Sequence, residues 1–122
     1  MRILIAEDEK ILIEIYSSFL KKAGHEVEVA TDGEQALFRM KKNKPDLVLL
    51  DLRMPKKDGF EVLEERAIDE ELRNIPVIVL SGLSEDRDVK RAAALGANDF
   101  CNKVQIEVKP LIEKIQKLVP GT

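Results

Sequence analysis

Leu47-Val48-Leu49-Leu50 runs straight into Asp51-Leu52-Arg53-Met54-Pro55-Lys56-Lys57-Asp58-Gly59, and this junction decides the fold. Four apolar residues without alternation read as a strand covered on both faces, the mark of a parallel sheet. Further strand-length apolar runs, mostly continuous, occur at Ile3–Ala6, Val27–Ala30, Val77–Leu80 and near Phe100–Cys101. Asp51 ends its run, and Asp58-Gly59 makes a turn into the next segment. Three other runs end on polar residues as well: Glu7 and Asp8 follow the first, Ser81 the fourth and Lys103 the fifth.

Between the runs lie segments of helical period. Leu12, Ile15, Tyr16, Phe19 and Leu20 share a face that closes at Ala23-Gly24, where glycine supplies a left-handed cap. Ala36, Leu37 and Met40 repeat the pattern behind Thr31-Asp32, either of which can cap the N-terminus. Phe60, Leu63 and Ile68 lie along a third, acidic segment. Ser84 is the expected N-cap of a fourth, which carries Val89, Ala92, Ala93 and Leu95 and stops at Gly96. The last holds Leu111, Ile112, Ile115 and Leu118, with Pro110 in its first turn, where a missing N–H is harmless. Strands alternating with helices predict a doubly wound α/β fold: a five-stranded parallel sheet with five helices on both faces.

The 122 residues are enough for one domain with its own core, spanning 1–122. Charged residues make up 35% of the chain, but the net charge is only −3 and the signs are interspersed. No basic stripe is available for a phosphate backbone, so direct nucleic-acid binding by this domain is not expected. Cys101, the only cysteine, excludes an internal disulfide and fits a reducing compartment; it reads as a small apolar packing residue. His25 reads as a surface residue entering the second strand. Acids at positions 7 and 8 come too early for a signal sequence, and no apolar run nears the ~20 residues that span a bilayer. A cytoplasmic protein without membrane attachment is expected. The closing Pro120-Gly121-Thr122 fits a natural stop or a boundary within a longer protein.

In an open α/β sheet, ligands bind beyond the carboxyl ends of the strands. With the first and third strands adjacent, the carboxylates of Glu7, Asp8 and Asp51 converge. At ~4 Å each like-charge pair repels by roughly 1–4 kcal/mol, so one carboxyl stays protonated or a cation offsets the charge. Magnesium suits such a site, because it takes one or two carboxylates and leaves room for waters and phosphate oxygens. Asp51 then becomes a nucleophile toward a phosphoryl group, with Lys103 as a compact positive charge and Ser81 as a hydroxyl donor.

With Met54-Pro55-Lys56-Lys57-Asp58-Gly59, and intervals of 43, 30 and 22 residues from Asp8 to Asp51 to Ser81 to Lys103, the chain resembles the receiver domain of two-component response regulators. The resemblance covers essentially the whole chain. It implies the flavodoxin-like strand order 2-1-3-4-5 known from the chemotaxis member of that family. It implies that Asp51 accepts a phosphoryl group from a phosphohistidine on a sensor histidine kinase or histidine phosphotransfer protein. Glu7, Asp8, Asp51 and the backbone carbonyl of Arg53 match the Mg2+ ligands, and Ser81 and Lys103 the phosphate ligands. Phe100 matches the aromatic residue that swings inward as the hydroxyl residue turns to the phosphate. The result is a signalling switch with intrinsic self-phosphorylation and autodephosphorylation, not an enzyme acting on a separate substrate. Its fourth helix, last strand and last helix form the surface that changes for a downstream protein or a fused output domain.

The alternative is a degenerate receiver that serves as a phosphorylation-independent interaction module. One departure favours it: Lys103 precedes Val104, where the family carries proline. A trans bond is expected there, because a non-proline cis bond costs roughly 2.5–4 kcal/mol. Lys109-Pro110 lies too deep in the last helix for Lys109 to replace Lys103, and Val104–Val108 is about one residue longer than the family pattern. A phosphatase passing the group onward is weaker, since residue 53 is Arg53 and not an acid, and the chain has no room for a cap. A nucleotide or flavin module lacks its glycine-rich loop after the first strand. On the first helix Ile13 is expected to point away from the core face, with Ile11 near its edge. The family docks its histidine-bearing partner on this helix, so Ile13 is a candidate partner contact.

Overall fold

A computed structural model describes residues 1–82 and 86–121, so the expected Ser84 cap lies outside the described residues. The chain alternates β1 (Arg2–Ala6), α1 (Lys10–Lys22), β2 (Glu26–Ala30), α2 (Gly33–Asn43) and β3 (Leu47–Asp51). It continues through α3 (Gly59–Ile68), β4 (Val77–Ser81), α4 (Asp86–Ala94), β5 (Asp99–Asn102) and α5 (Val108–Leu118). The sheet runs β2-β1-β3-β4-β5 with every neighbouring pair parallel, the expected flavodoxin-like order.

The continuous apolar runs are explained by burial on both sides. All residues of β3 and β4 are buried, and successive side chains feed opposite cores. Leu4, Val48, Leu50, Val77 and Val79 pack with Ala36, Met40, Phe60, Leu63 and Ala92 from α2, α3 and α4. Ile3, Ile5, Leu47, Leu49, Ile78 and Leu80 pack with Tyr16, Leu20, Leu111 and Ile115 from α1 and α5. Each fully buried Leu or Ile contributes roughly 1.5–3 kcal/mol, so the inner strands anchor the structure.

The helix starts are local chemistry. Asp32 caps α2 by accepting from the Gln35 N–H at 2.8 Å. Asp58 does more than turn the chain: with Glu61 it forms a reciprocal capping box on α3. Gly59 is needed for close approach, because a Cβ there would lie 2.5 Å from the Asp51 carbonyl oxygen. That contact seats the first turn of α3 against the end of β3.

Three side-chain expectations change. Ile15 is 40% exposed and Ile11 73%, while Ile13 is half-buried. Ile13 precedes fully buried Tyr16 by three residues, about 60° around the helix, and so borders the core stripe. Ile15 and Ile11 lie about 100° and 140° to the other side. The exposed apolar face of α1 is therefore Ile11–Ile15. Ile68 is 86% exposed at the end of α3, where Val62 and Arg66 are buried instead. His25 is half-buried rather than on the surface, its Nδ1 3.3 Å from the amino terminus.

Arg66 ties the N-terminal edge of the sheet together. Its guanidinium donates to the Ile75 carbonyl at 2.8 and 3.0 Å, the Gly96 carbonyl at 3.3 Å and Asn98 Oδ1 at 3.2 Å. Asn98 Oδ1 also accepts from the Val77 N–H at 2.9 Å. Among the described residues no helix is long and apolar enough to cross a membrane.

Candidate functional site

Parallel pairing brings the carboxyl ends of the strands to one edge. Ala6 pairs with Leu50, so the residues after them, Glu7 and Asp51, arrive side by side. Glu7 is fully buried and Asp51 is 1% exposed, while Asp8 is exposed. One carboxylate oxygen from each of Glu7, Asp8 and Asp51 lies within 4.8 Å of the others. Glu7 Oε1 accepts from the N–H groups of Asp8 and Glu9, and Asp51 Oδ1 from that of Arg53. Glu7 Oε2 and Asp51 Oδ2 are buried without a hydrogen bond.

Lys103 reaches the site despite Val104. The Lys103 N–H donates to the Ser81 carbonyl at 3.0 Å, continuing the β4–β5 pairing one residue past Asn102. Asn102 Oδ1 then accepts from the N–H groups of Val104 and Gln105, an Asx turn that bends the chain away. Every peptide bond among the described residues is trans. Lys103 Nζ stands 3.3 Å from Asp51 Oδ2, 3.8 Å from Glu7 Oε2 and 3.2 Å from Glu9 Oε1. Lys109 is exposed on α5.

Asp51, Leu52, Arg53, Leu80, Ser81, Gly82, Asp88 and Lys103 line a cavity of about 180 Å³. Ser81 also lines an adjacent cavity of about 190 Å³ with Val89, Phe100, Cys101 and Asn102. Phe100 is half-buried against the α2–α3–α4 core, and Cys101 packs against the other core. The edge thus gathers Glu7, Asp8, Asp51, Arg53, Ser81 and Lys103, with Phe100 one cavity away. Ile13, on α1, is not among the residues lining either cavity.

Two acids escaped the sequence reading. Glu9 shares Lys103 with Glu7 and Asp51, and its signal was its place directly after Glu7-Asp8. Asp88 lies in the wall of the first cavity, 3.0 Å from Arg53 Nη2. Nothing local marks it, because only the packing of α4 brings it there.

Burial pushes the Glu7 carboxyl up to about 7; the Glu9 N–H opposes the shift and the Asp51 charge adds to it. Burial raises Asp51 too, against the Arg53 N–H and the Lys103 charge. Burial alone lowers the Lys103 ammonium, but Asp51 and Glu7 outweigh it and hold the group above its usual range. One lysine cannot offset several converging carboxylates. The donor set of hard oxygens, two of them buried without hydrogen bonds, fits a divalent cation of the magnesium class.

Residues 3–116 match the family model described as the response regulator receiver domain. Response regulator RR06 of Streptococcus pneumoniae serotype 2 is 37% identical over 119 residues, covering 98% of this chain and 53% of that protein. The signal receiver domain of a histidine kinase from Syntrophus aciditrophicus superposes with a TM-score of 0.88 at 33% identity, covering 99% of this chain and 93% of that one. The receiver domain of the Pseudomonas aeruginosa sensor histidine kinase PA1611, solved with a magnesium ion coordinated in its active-site cleft, gives 0.88 at 26% identity, covering 96% and 95%. The chain spans about half or less of the length of the curated relatives it matches.

Proposed function

The chain belongs to the response regulator receiver domain family of two-component signalling, and from that premise we propose that it is a phosphoacceptor switch. Asp51 takes a phosphoryl group from a phosphohistidine on a sensor histidine kinase or histidine phosphotransfer protein. Glu7, Asp8, Asp51 and the Arg53 backbone carbonyl hold Mg2+. The observation that carries this reading is the pair of buried carboxylates, Glu7 and Asp51, whose oxygens without hydrogen bonds share one lysine.

When bound, Mg2+ supplies positive charge that offsets the carboxylates and the phosphoryl oxygens. An Asp51 carboxylate oxygen attacks phosphorus; the new O–P bond forms as the N–P bond of the donor breaks, and the imidazole leaves with the electron pair and takes a proton. Lys103, already 3.3 Å from Asp51 Oδ2, sets one charge beside the arriving oxygens. Ser81 offers a hydroxyl donor from the cavity wall. Hydrolysis reverses the state: water adds to phosphorus, Asp51 leaves as carboxylate and inorganic phosphate departs.

Ser81 lines both cavities, which supports a coupled movement of Ser81 toward the phosphoryl group and Phe100 inward. That movement alters the surface of α4, β5 and α5 for a downstream protein or a fused output domain. The donor docks on α1, whose exposed apolar residues are Ile11 and Ile15. The switch works in the cytoplasm.

The test is the intact mass after incubation with acetyl phosphate, with and without Mg2+, for the wild type and Asp51→Asn. A magnesium-dependent gain of one phosphoryl group, absent in the variant, is expected. No gain from acetyl phosphate or a phosphohistidine donor, together with no beryllofluoride binding, would replace the switch by a contact-only receiver.

A further inference from the structure

Among the described residues lining the phosphoryl cavity, two are cations, Lys103 and Arg53, and they are held differently. Lys103 is anchored between Glu7, Glu9 and the acceptor Asp51 itself. The Arg53 side chain is 71% exposed and paired with Asp88, Nη2 to Oδ2 at 3.0 Å. Arg53 lies two residues past the acceptor and its N–H already bonds Asp51 Oδ1. Asp88 lies in the first turn of α4, its side chain only 18% exposed. This ion pair therefore ties the acceptor loop to α4 across the cavity.

A carboxylate in the wall of a phosphate-accepting cavity opposes its own ligand. A phosphoryl group brings roughly two negative charges and several acceptor oxygens. Guanidinium pairs with such oxygens through its planar fork. The competing pair is weak, because a largely solvated arginine gains little from one carboxylate. Asp88 is not stranded when Arg53 leaves: Asp86 and Asp88 both occupy the first turn of α4, where the positive end of the helix dipole favours acids.

We propose that the Arg53–Asp88 pair is a charge latch, opened when the phosphoryl group on Asp51 draws the Arg53 guanidinium away from Asp88. Opening releases the first turn of α4 from the acceptor loop. This rests on Asp51 being the acceptor, and it reaches α4 by a route separate from Ser81 and Phe100.

The experiment titrates the full chain with beryllofluoride in the presence of Mg2+, for the wild type, Arg53→Ala, Asp88→Asn and the double variant. Affinity and the backbone amide shifts of Asp86–Val89 are read together. Asp88→Asn is expected to bind roughly two- to fivefold tighter and Arg53→Ala weaker by a similar factor. In the Arg53→Ala background the Asp88→Asn gain disappears. The Asp86–Val89 amides move on binding in the wild type; in Arg53→Ala and in Asp88→Asn, where the pair is already absent, they start nearer the bound position and move less. An undiminished Asp88→Asn gain without Arg53 overturns the latch, because Asp88 then acts through its own charge alone. Equal binding by all four proteins, or unaltered α4 shifts in Arg53→Ala, overturns it as well. If the wild type neither binds beryllofluoride nor gains mass from acetyl phosphate, the phosphoacceptor reading itself fails and takes the latch with it.

Discussion

The two edges of the sheet bury charge in opposite ways. At the N-terminal edge Arg66 is 4% exposed, yet its guanidinium meets two backbone carbonyls and the Asn98 side chain. At the C-terminal edge Glu7 and Asp51 are buried as deeply, but each keeps an oxygen without a hydrogen bond. A buried charge whose hydrogen-bonding capacity is met becomes a fastener. One whose capacity is left open is a site that an ion can complete. The first edge holds the fold; the second draws on the stability that the first and the two cores supply.

The largest effect expected comes from breaking the satisfied edge. Arg66→Ala leaves the Ile75 and Gly96 carbonyls without this donor and opens a cavity between α3 and the loops before β4 and β5. A loss of roughly 3 kcal/mol is expected in urea unfolding. A loss below about 1 kcal/mol would make Arg66 ornamental and remove the contrast.

The open edge predicts an inverted pH dependence. Glu7 titrates at about 7 in the fold against an ordinary 4.5, so between these values the folded chain binds more protons than the unfolded one. The contribution of Glu7 is therefore fully present below pH 4.5 and is lost as pH rises through 7. It amounts to roughly 3 kcal/mol, and Asp51, raised in the same direction, adds with the same sign. Urea midpoints measured in chelator should fall from pH 5 to pH 8, and Glu7→Gln should flatten the curve. Added Mg2+ should recover stability most strongly at the alkaline end, where the carboxylates are free of protons. A flat wild-type profile contradicts this account.

Asp51→Asn sharpens the comparison from the same side. Removing one buried charge from the cluster is expected to stabilise the metal-free chain by about 1 kcal/mol while abolishing phosphoryl uptake. Thermal unfolding in chelator beside the mass measurement checks both; a destabilised Asn variant would mean that Lys103 already balances the site. The smallest stability effect belongs to Ile15→Asp, which touches neither edge. It should change stability by no more than about 0.5 kcal/mol and slow phosphotransfer from the cognate donor, whereas unchanged transfer would clear this face of α1 of any docking role.

Much of the fold was legible because its physics is local. A strand buried on both faces must be continuously apolar, and it stops being so where it leaves the core, which is where Glu7, Asp8, Asp51 and Ser81 stand. The cap of α2 was readable to within Thr31 or Asp32 for the same reason, whereas Asp58 read only as a turn and its capping box with Glu61 came from the structure. The strand order was not in the periodicity at all; it came with the family resemblance. Lys103 was legible as a residue past a strand, but only the structure shows its ammonium beside Asp51 and Glu7 with Val104 following it.

The sequence by itself determined which segments form strands and helices, and which polar residues collect at one edge, because those follow from periodicity and from where apolar runs end. Only the tertiary structure decided the rest. Arg66 in an acidic helix reads as a solvated charge until three separate segments close over it. Ile13 and Ile15 exchange burial because the angle a helix presents to the sheet is set by its neighbours. Asp88 enters the wall of the cavity beside Asp51 only when α4 packs beside β4 and β5. Charge and burial at these positions are properties of contacts between distant segments, and no local pattern carries them.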